Sequence, residues 1–219
     1  MKDGWFGIDC SSAPSPCGYC FTSRKSYSAF RQNHPKSILV LPPLNNSPDV
    51  RATYGVLSST TYPLAESGYY VFPVALVDQT FKENGVTQPA DMHQIPAKKL
   101  VEIFGADAAL YITVEKYGSV YTVINSEVVV SAKANLVDLK TGATLWSGSA
   151  SASSGENQRN QNQGLLGAIL SSIVTQAINS LGDAGRDVAV QTNLRLLSAR
   201  PNGGLLHGPR SPLFGKDAQ

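Results

Sequence analysis

The chain has 219 residues, enough for one domain with tails and a core that needs no disulfides. Its 18 Lys and Arg against 16 Asp and Glu leave a formal net charge of +2, which excludes broad electrostatic capture of nucleic acid. Charged residues are only 16% of the sequence; Ser, Asn, Gln and Thr fill the gap, a surface that suits an exported protein better than a cytosolic enzyme.

Residues 1–34 read as a largely disordered leader and linker, because Ser11-Ser12-Ala13-Pro14-Ser15-Pro16 makes no regular element. No run of about 18 apolar residues predicts a transmembrane helix. No apolar stretch of signal-peptide type follows Met1-Lys2-Asp3. All three cysteines, Cys10, Cys17 and Cys20, fall in this leader. The Cys17-Gly-Tyr-Cys20 pair lacks a second pair for zinc, leaving His34 as the one completing ligand on offer, and no strand precedes it as at a redox site. Arg24, Lys25, Arg31 and Lys36 add a basic stretch that fits a solvated linker or weak attraction to anionic headgroups.

The domain is expected over 35–199. Ser37-Ile38-Leu39-Val40-Leu41 is a continuous apolar run stopped by Pro42-Pro43, the pattern of a buried central strand. Residues 45–49 read as a loop, and Val50 to Ser67 as a helix that Pro63 kinks and Gly68 ends. Tyr69 to Pro73 predicts a second strand, and Asp78 the cap of a short helix to Glu83. Pro89 to Met92 reads as a turn, and Pro96 opens a helix to Phe104. Ala108 to Tyr117 is a third strand, with Gly118-Ser119 as a turn before a long β segment from Val120 to Asp138. Asp138-Leu-Lys-Thr-Gly142 is an Asx-type hairpin turn into a last strand, Ala143 to Ala152, anchored in the core by Trp146.

Ser153 to Gln163 reads as a polar loop, Gly164 to Leu181 as a helix, Gly182 to Gly185 as a separator, and Arg186 to Leu197 as a last helix. Residues 200–219 form an extended Pro/Gly-rich tail, laid across the domain or a partner because Leu205, Leu206, Leu213 and Phe214 are costly to expose. The order gives parallel strands joined by helical crossovers, then an antiparallel meander. The fold class is therefore α/β: a single domain with a mixed β-sheet flanked by helices.

Catalytic motifs are absent. There is no G-x-S-x-G elbow, no G-x-x-x-x-G-K-[ST] loop and no G-x-G-x-x-G after the first strand. His34, His93 and His207 lie in linker, turn and tail, so no shared site is expected of them. Asp78, Glu83, Asp107 and Glu115 read as separate cap, surface, turn and strand residues, and one inward carboxylate makes no mechanism. No cofactor or metal is expected. The Gly164–Leu181 helix has an apolar stripe of Leu166, Ile169, Ile173, Ala177 and Leu181, and an opposite face without charge: Gly167, Ser171, Ser172, Thr175, Gln176 and Asn179. That face is an ordinary wet surface or a possible interface for a second copy or a channel-like partner, since interface cores are charge-depleted.

Five segments together carry a resemblance. They are Pro35-Lys-Ser-Ile-Leu-Val-Leu-Pro-Pro43, Thr61-Tyr-Pro-Leu-Ala-Glu-Ser-Gly-Tyr-Tyr-Val-Phe-Pro73, Ile103-Phe-Gly-Ala-Asp107, Leu136-Val-Asp-Leu-Lys-Thr-Gly-Ala-Thr-Leu-Trp146, and Pro201-Asn-Gly-Gly-Leu-Leu206 with Gly208-Pro-Arg-Ser-Pro212. Over residues 28–216 the chain resembles a family of bacterial outer-membrane lipoproteins of unknown function that includes a meningococcal vaccine antigen. The resemblance implies a domain like the TolB amino-terminal domain, kinship with curli secretion-channel lipoproteins, and lipid anchoring at the periplasmic face of the outer membrane. It implies a curli-channel-like lipoprotein or other envelope protein as partner; with no catalytic motif in the sequence, a non-enzymatic accessory subunit of a transport or assembly complex is expected. Cys20 and Cys17 are the candidate lipid attachment sites, although Tyr19 and Pro16 before them depart from a lipobox. The rival readings are a small-ligand-binding or hydrolytic α/β domain and a soluble interaction module.

Overall fold

A computed structural model describes residues 27–121, 126–156, 184–200 and 204–217. Thirteen elements follow one another within them: α1 (Ser28–Asn33), β1 (Ser37–Val40), β2 (Leu44–Asn45), α2 (Ala52–Leu57), α3 (Thr61–Glu66), β3 (Tyr70–Val71), α4 (Val74–Glu83), α5 (Pro89–Met92), α6 (Ala97–Phe104), β4 (Ala108–Tyr121), β5 (Ser126–Asp138), β6 (Thr144–Ser153) and α7 (Ala184–Leu197). The strands form one sheet in the order β3-β1-β4-β5-β6, with β2 pairing β4 beyond the end of β1. The β1 pairs are parallel, while β4, β5 and β6 are antiparallel. The mixed sheet flanked by helices is the fold class expected from the sequence.

Alternation along the strands builds two cores. Ile38 and Val40 of β1 join Ala108, Leu110, Ile112 and Val114 of β4 and Val130, Ala132, Ala134 and Leu136 of β5 on one face, under α2, α3 and α7. Leu39, Leu41 and Ala109 point the other way, onto Val77 and Phe81 of α4, Met92 of α5 and Leu100 of α6. The β1 run is continuous in sequence because both faces of a central strand are covered. On β5 the second face is wet: Lys133 and Asn135 are exposed.

Two bulges redirect large side chains. A register shift between Val114 and Lys116 leaves Glu115 unpaired in the ladder and turns Tyr117 toward the main core. There its ring fills a notch between Gly55 of α2 and Gly185 of α7, where a Cβ on either glycine would meet it. A second shift at Leu136/Val137 opposes β6, so the neighbours Leu145 and Trp146 are both buried in one core. In a regular strand they would point to opposite faces.

Several expected boundaries move. The expected leader runs to residue 34, but α1 occupies 28–33 and Phe30 is buried in the main core, so folding starts before residue 35. Leu44–Asn45 is a strand rather than loop, because the chain resumes alongside β4 after Pro42-Pro43. The single helix expected over 50–67 is two, broken at 58–60. Pro63 sits in the first turn of α3, where no intrahelical N–H is needed. Asp78 caps nothing: α4 begins at Val74, and Asp78 pairs with Lys82 at 2.7 Å. Pro89–Met92 is a helical turn, and Gly118 (φ 135°) continues β4 opposite Val129 instead of ending it. Helix α7 begins at Ala184, inside the expected separator.

The Asx turn is as expected: Asp138 Oδ2 accepts from the Thr141 amide at 2.7 Å and its hydroxyl at 2.6 Å. Trp146 is core. The tail is not extended throughout. Leu205 and Leu206 are buried, and residues 209–215 form turns.

Candidate functional site

Where β3 meets the tail, residues 204–217 form a strap. The Gly208 amide donates to Ser67 O at 2.7 Å and the Arg210 amide to Gly68 O at 3.1 Å, so the strap rides on the turn after α3. Asp217 closes it: one carboxylate oxygen accepts from the His207 amide at 3.0 Å and the other contacts His207 Nδ1. Beneath the strap, Tyr69 donates its hydroxyl to Leu206 O at 2.6 Å, and Tyr27 donates to Gly204 O at 2.8 Å. Burial pushes both phenols above their ordinary range, and the Asp217 charge adds to it. They are therefore neutral donors, not acids.

Between strap and α1 lies a cavity of about 220 Å3. Phe30, Pro35, Leu206 and Phe214 give it apolar walls, and Arg31, His34, His207 and Asp217 its polar groups. His34 ends α1 in the left-handed region (φ 42°) and sets its ring edge-on to Phe214 at 5.6 Å. The expectation that the histidines stay apart is thus corrected for two of them: His34 and His207 line one cavity, joined by chain ends far apart in sequence. The His207–Asp217 contact resembles the base and orienter of a triad. The described lining holds no Ser, Thr or Cys to complete such a triad, and the Tyr69 hydroxyl is committed to Leu206. The arrangement can bind a side chain or small amphiphile between its apolar walls and its His and Asp groups.

A second, open groove of about 550 Å3 runs between Pro48, Asp49 and Val50 and the far end of β4. The hydrogen bond with Arg51 lowers the Asp49 carboxyl below its ordinary value. Val50 is 85% exposed at its rim.

The acidic residues singled out in the sequence do not converge. Asp78 pairs with Lys82, Glu115 with Lys133 at 2.5 Å, and Asp107 with Lys140 at 2.9 Å; Glu83 accepts from Gln79. Asp107 ties β1 to the sheet base through the Lys36 and Ser37 amides. Burial pushes its carboxyl up, but Lys140 and those donors outweigh it and hold it below its ordinary range. Among the described residues no group of three or more His, Cys, Asp and Glu could hold a metal, and no helix is long and apolar enough to cross a membrane. Cys17 and Cys20, with the face made of Gly167, Ser171, Ser172, Thr175, Gln176 and Asn179, lie outside the described residues.

His93 stands apart, at the exit of β1. Its Nε2 is 2.9 Å from Pro42 O, and its ring meets Tyr111 edge-on at 5.2 Å. Burial lowers its pKa, partly offset by the Pro42 carbonyl. The unfolded chain then binds a proton at a pH where the folded chain does not. Stability is complete above the unfolded value of about 6.5 and falls as pH drops through the folded one. Urea midpoints at neutral and mildly acidic pH should therefore differ more in the wild type than in His93→Gln, which keeps a donor for Pro42; equal differences would remove His93 from the account.

Fold and site together define a small α/β protein with a strap-closed cavity and no catalytic constellation among its described residues. The chain belongs to the lipoprotein family described as "Putative lipoprotein GNA1162-like", whose model matches residues 25–210. It is 50% identical over 210 residues to "Putative lipoprotein NMB1124/NMB1162" of Neisseria meningitidis serogroup B, covering 96% of this chain and 97% of that protein. It is also similar to the crystal structure of lipoprotein GNA1162 from Neisseria meningitidis, with 57% identity and a TM-score of 0.54 over 67% of this chain and all of that one. The family resemblance drawn from the five segments is borne out.

Proposed function

We propose that this protein is a non-enzymatic envelope lipoprotein, held by lipid at Cys20 or Cys17 on the periplasmic face of the outer membrane, and an accessory subunit of a transport or assembly complex. Membership of a lipoprotein family over residues 25–210 carries the reading. The cavity chemistry supports it, since the described lining offers a binding surface without a Ser, Thr or Cys nucleophile. The partner is a curli-channel-like lipoprotein or another envelope protein, or a second copy, docking on the charge-free face from Gly167 to Asn179. A small-ligand reading draws on the 220 Å3 cavity, but its described lining sets no Ser, Thr or Cys beside the His207–Asp217 pair for a triad-type hydrolysis.

Metabolic labelling with an alkyne fatty acid, followed by membrane fractionation, tests the anchor. The wild type should carry label in the membrane fraction, and either Cys20→Ser or Cys17→Ser should abolish it. An unlabelled wild type in the soluble fraction would defeat the reading.

A further inference from the structure

The strap presents an apolar knob instead of hiding it. Leu213 is 49% and Phe214 41% exposed on a turn closed by the Phe214 amide on Ser211 O at 3.1 Å and the Lys216 amide on Leu213 O at 3.0 Å. Phe214 turns one side of its ring to His34 and the cavity while Leu213 lies outside that lining, and the strap carrying both is held by the Ser67–Gly68 turn and the His207–Asp217 contact. The flanking charges are basic. Arg31, Arg210 and Lys216 are exposed, and the Arg210 guanidinium lies 5.4 Å from the ring centre of half-exposed Tyr70. The acid of the strap, Asp217, is buried against His207.

The chain also enters the domain here. Helix α1 lines the same cavity as Phe214, His34 touches that ring, and Tyr27 is bonded to Gly204. Cys20 precedes Tyr27 by seven residues, a span of at most about 25 Å when fully extended. An apolar knob rimmed by cations, beside the entry of the cysteine-bearing segment, has the chemistry of an interfacial membrane contact.

We propose that the face made by α1 and the strap, with Leu213 and Phe214 at its centre and Arg31, Arg210 and Lys216 around them, lies on an anionic phospholipid bilayer. The contact orients the domain on the membrane. It adds to the anchored reading, and its test uses the unlipidated chain, so the two stand or fall separately.

The test is co-sedimentation of the purified full chain with vesicles of equal parts phosphatidylethanolamine and phosphatidylglycerol, against neutral vesicles in which phosphatidylcholine replaces the phosphatidylglycerol. Binding should favour the anionic vesicles and weaken with salt. Arg210→Gln with Lys216→Gln should lower the partition coefficient about 25-fold, near fivefold for each charge removed. Leu213→Ser should weaken binding at an unchanged thermal midpoint, and Leu213→Ser with Phe214→Ser should lose most of it. Hydrogen exchange should slow at residues 207–217 when vesicles are added. Equal binding to neutral vesicles, wild-type binding by both double variants, protection confined to residues 1–26, or no binding at all would each overturn the proposal.

Discussion

Trp146→Ala is expected to cost about 3–5 kcal/mol, the range for truncating a core indole. The side chain is 4% exposed, and β6 faces β5 there at the Leu136 pair. Its ring lies along the strand over Gly148, where any Cβ would strike it. A void in that position cannot be refilled cheaply: Leu136 opposite it is held in the β5 ladder, and α7 is pinned to the sheet and to α2 by Thr192 and Asn193. Against a domain stability of about 5–15 kcal/mol this loss is large. Urea unfolding followed by far-ultraviolet circular dichroism measures it without depending on tryptophan emission. Trp146→Phe should lose less, having a smaller volume to replace. A midpoint unchanged in Trp146→Ala would place the indole outside the core.

Much of the fold is legible in the sequence because its strongest signals are local. The run Ile38 to Leu41 needs only its apolar continuity and Pro42 to read as a central strand. The Asp138–Gly142 turn needs only an Asx acceptor and a glycine, which here has φ 72°. Features set by distant contacts are not legible. Gly118-Ser119 looks like a turn, yet Gly118 stays in β4 because β5 is long enough to pair past it. The bulge after Val114 has no sequence mark, though it is what sends Tyr117 between Gly55 and Gly185. Phe30 could have been read as core, being a lone large apolar residue near the first strand. The absence of periodicity in six helical residues concealed it.

The site is less legible for the same reason. Its walls come from residues 30–35 and 206–217, two segments that the sequence reading assigned to a linker and a tail. Neither signals binding alone. Their meeting depends on Ser67 and Gly68 offering two carbonyls to Gly208 and Arg210. The expectation that Leu205 and Leu206 would not stay in water was sound physics and correctly located the tail's anchor. The same cost argument applied to Leu213 and Phe214 is not met, since both stay half-exposed on their turn.

Among the described glycines, Gly68 is the one at which a change to Ala meets two costs at once. Gly68 has φ 93°, a conformation that disfavours a side chain by about 1–2 kcal/mol. A Cβ there would also lie 2.5 Å from the Ser211 amide nitrogen and 3.0 Å from Gly208 O, both backbone atoms that cannot rotate away. Forcing such a contact typically adds about 1–3 kcal/mol. The expected total is about 2–5 kcal/mol. Gly105 provides the control: its φ is 66°, and a Cβ there meets nothing within 4 Å, so Gly105→Ala carries the conformational cost alone. The difference between the two variants in urea unfolding therefore measures the close approach of strap and turn. Hydrogen exchange locates it, since the amides of Gly208 and Arg210 should exchange faster in Gly68→Ala and remain protected in Gly105→Ala. Equal losses in the two variants, with the strap amides still protected, would mean that the strap is not seated on this turn, and the cavity and membrane face built on it would lose their support.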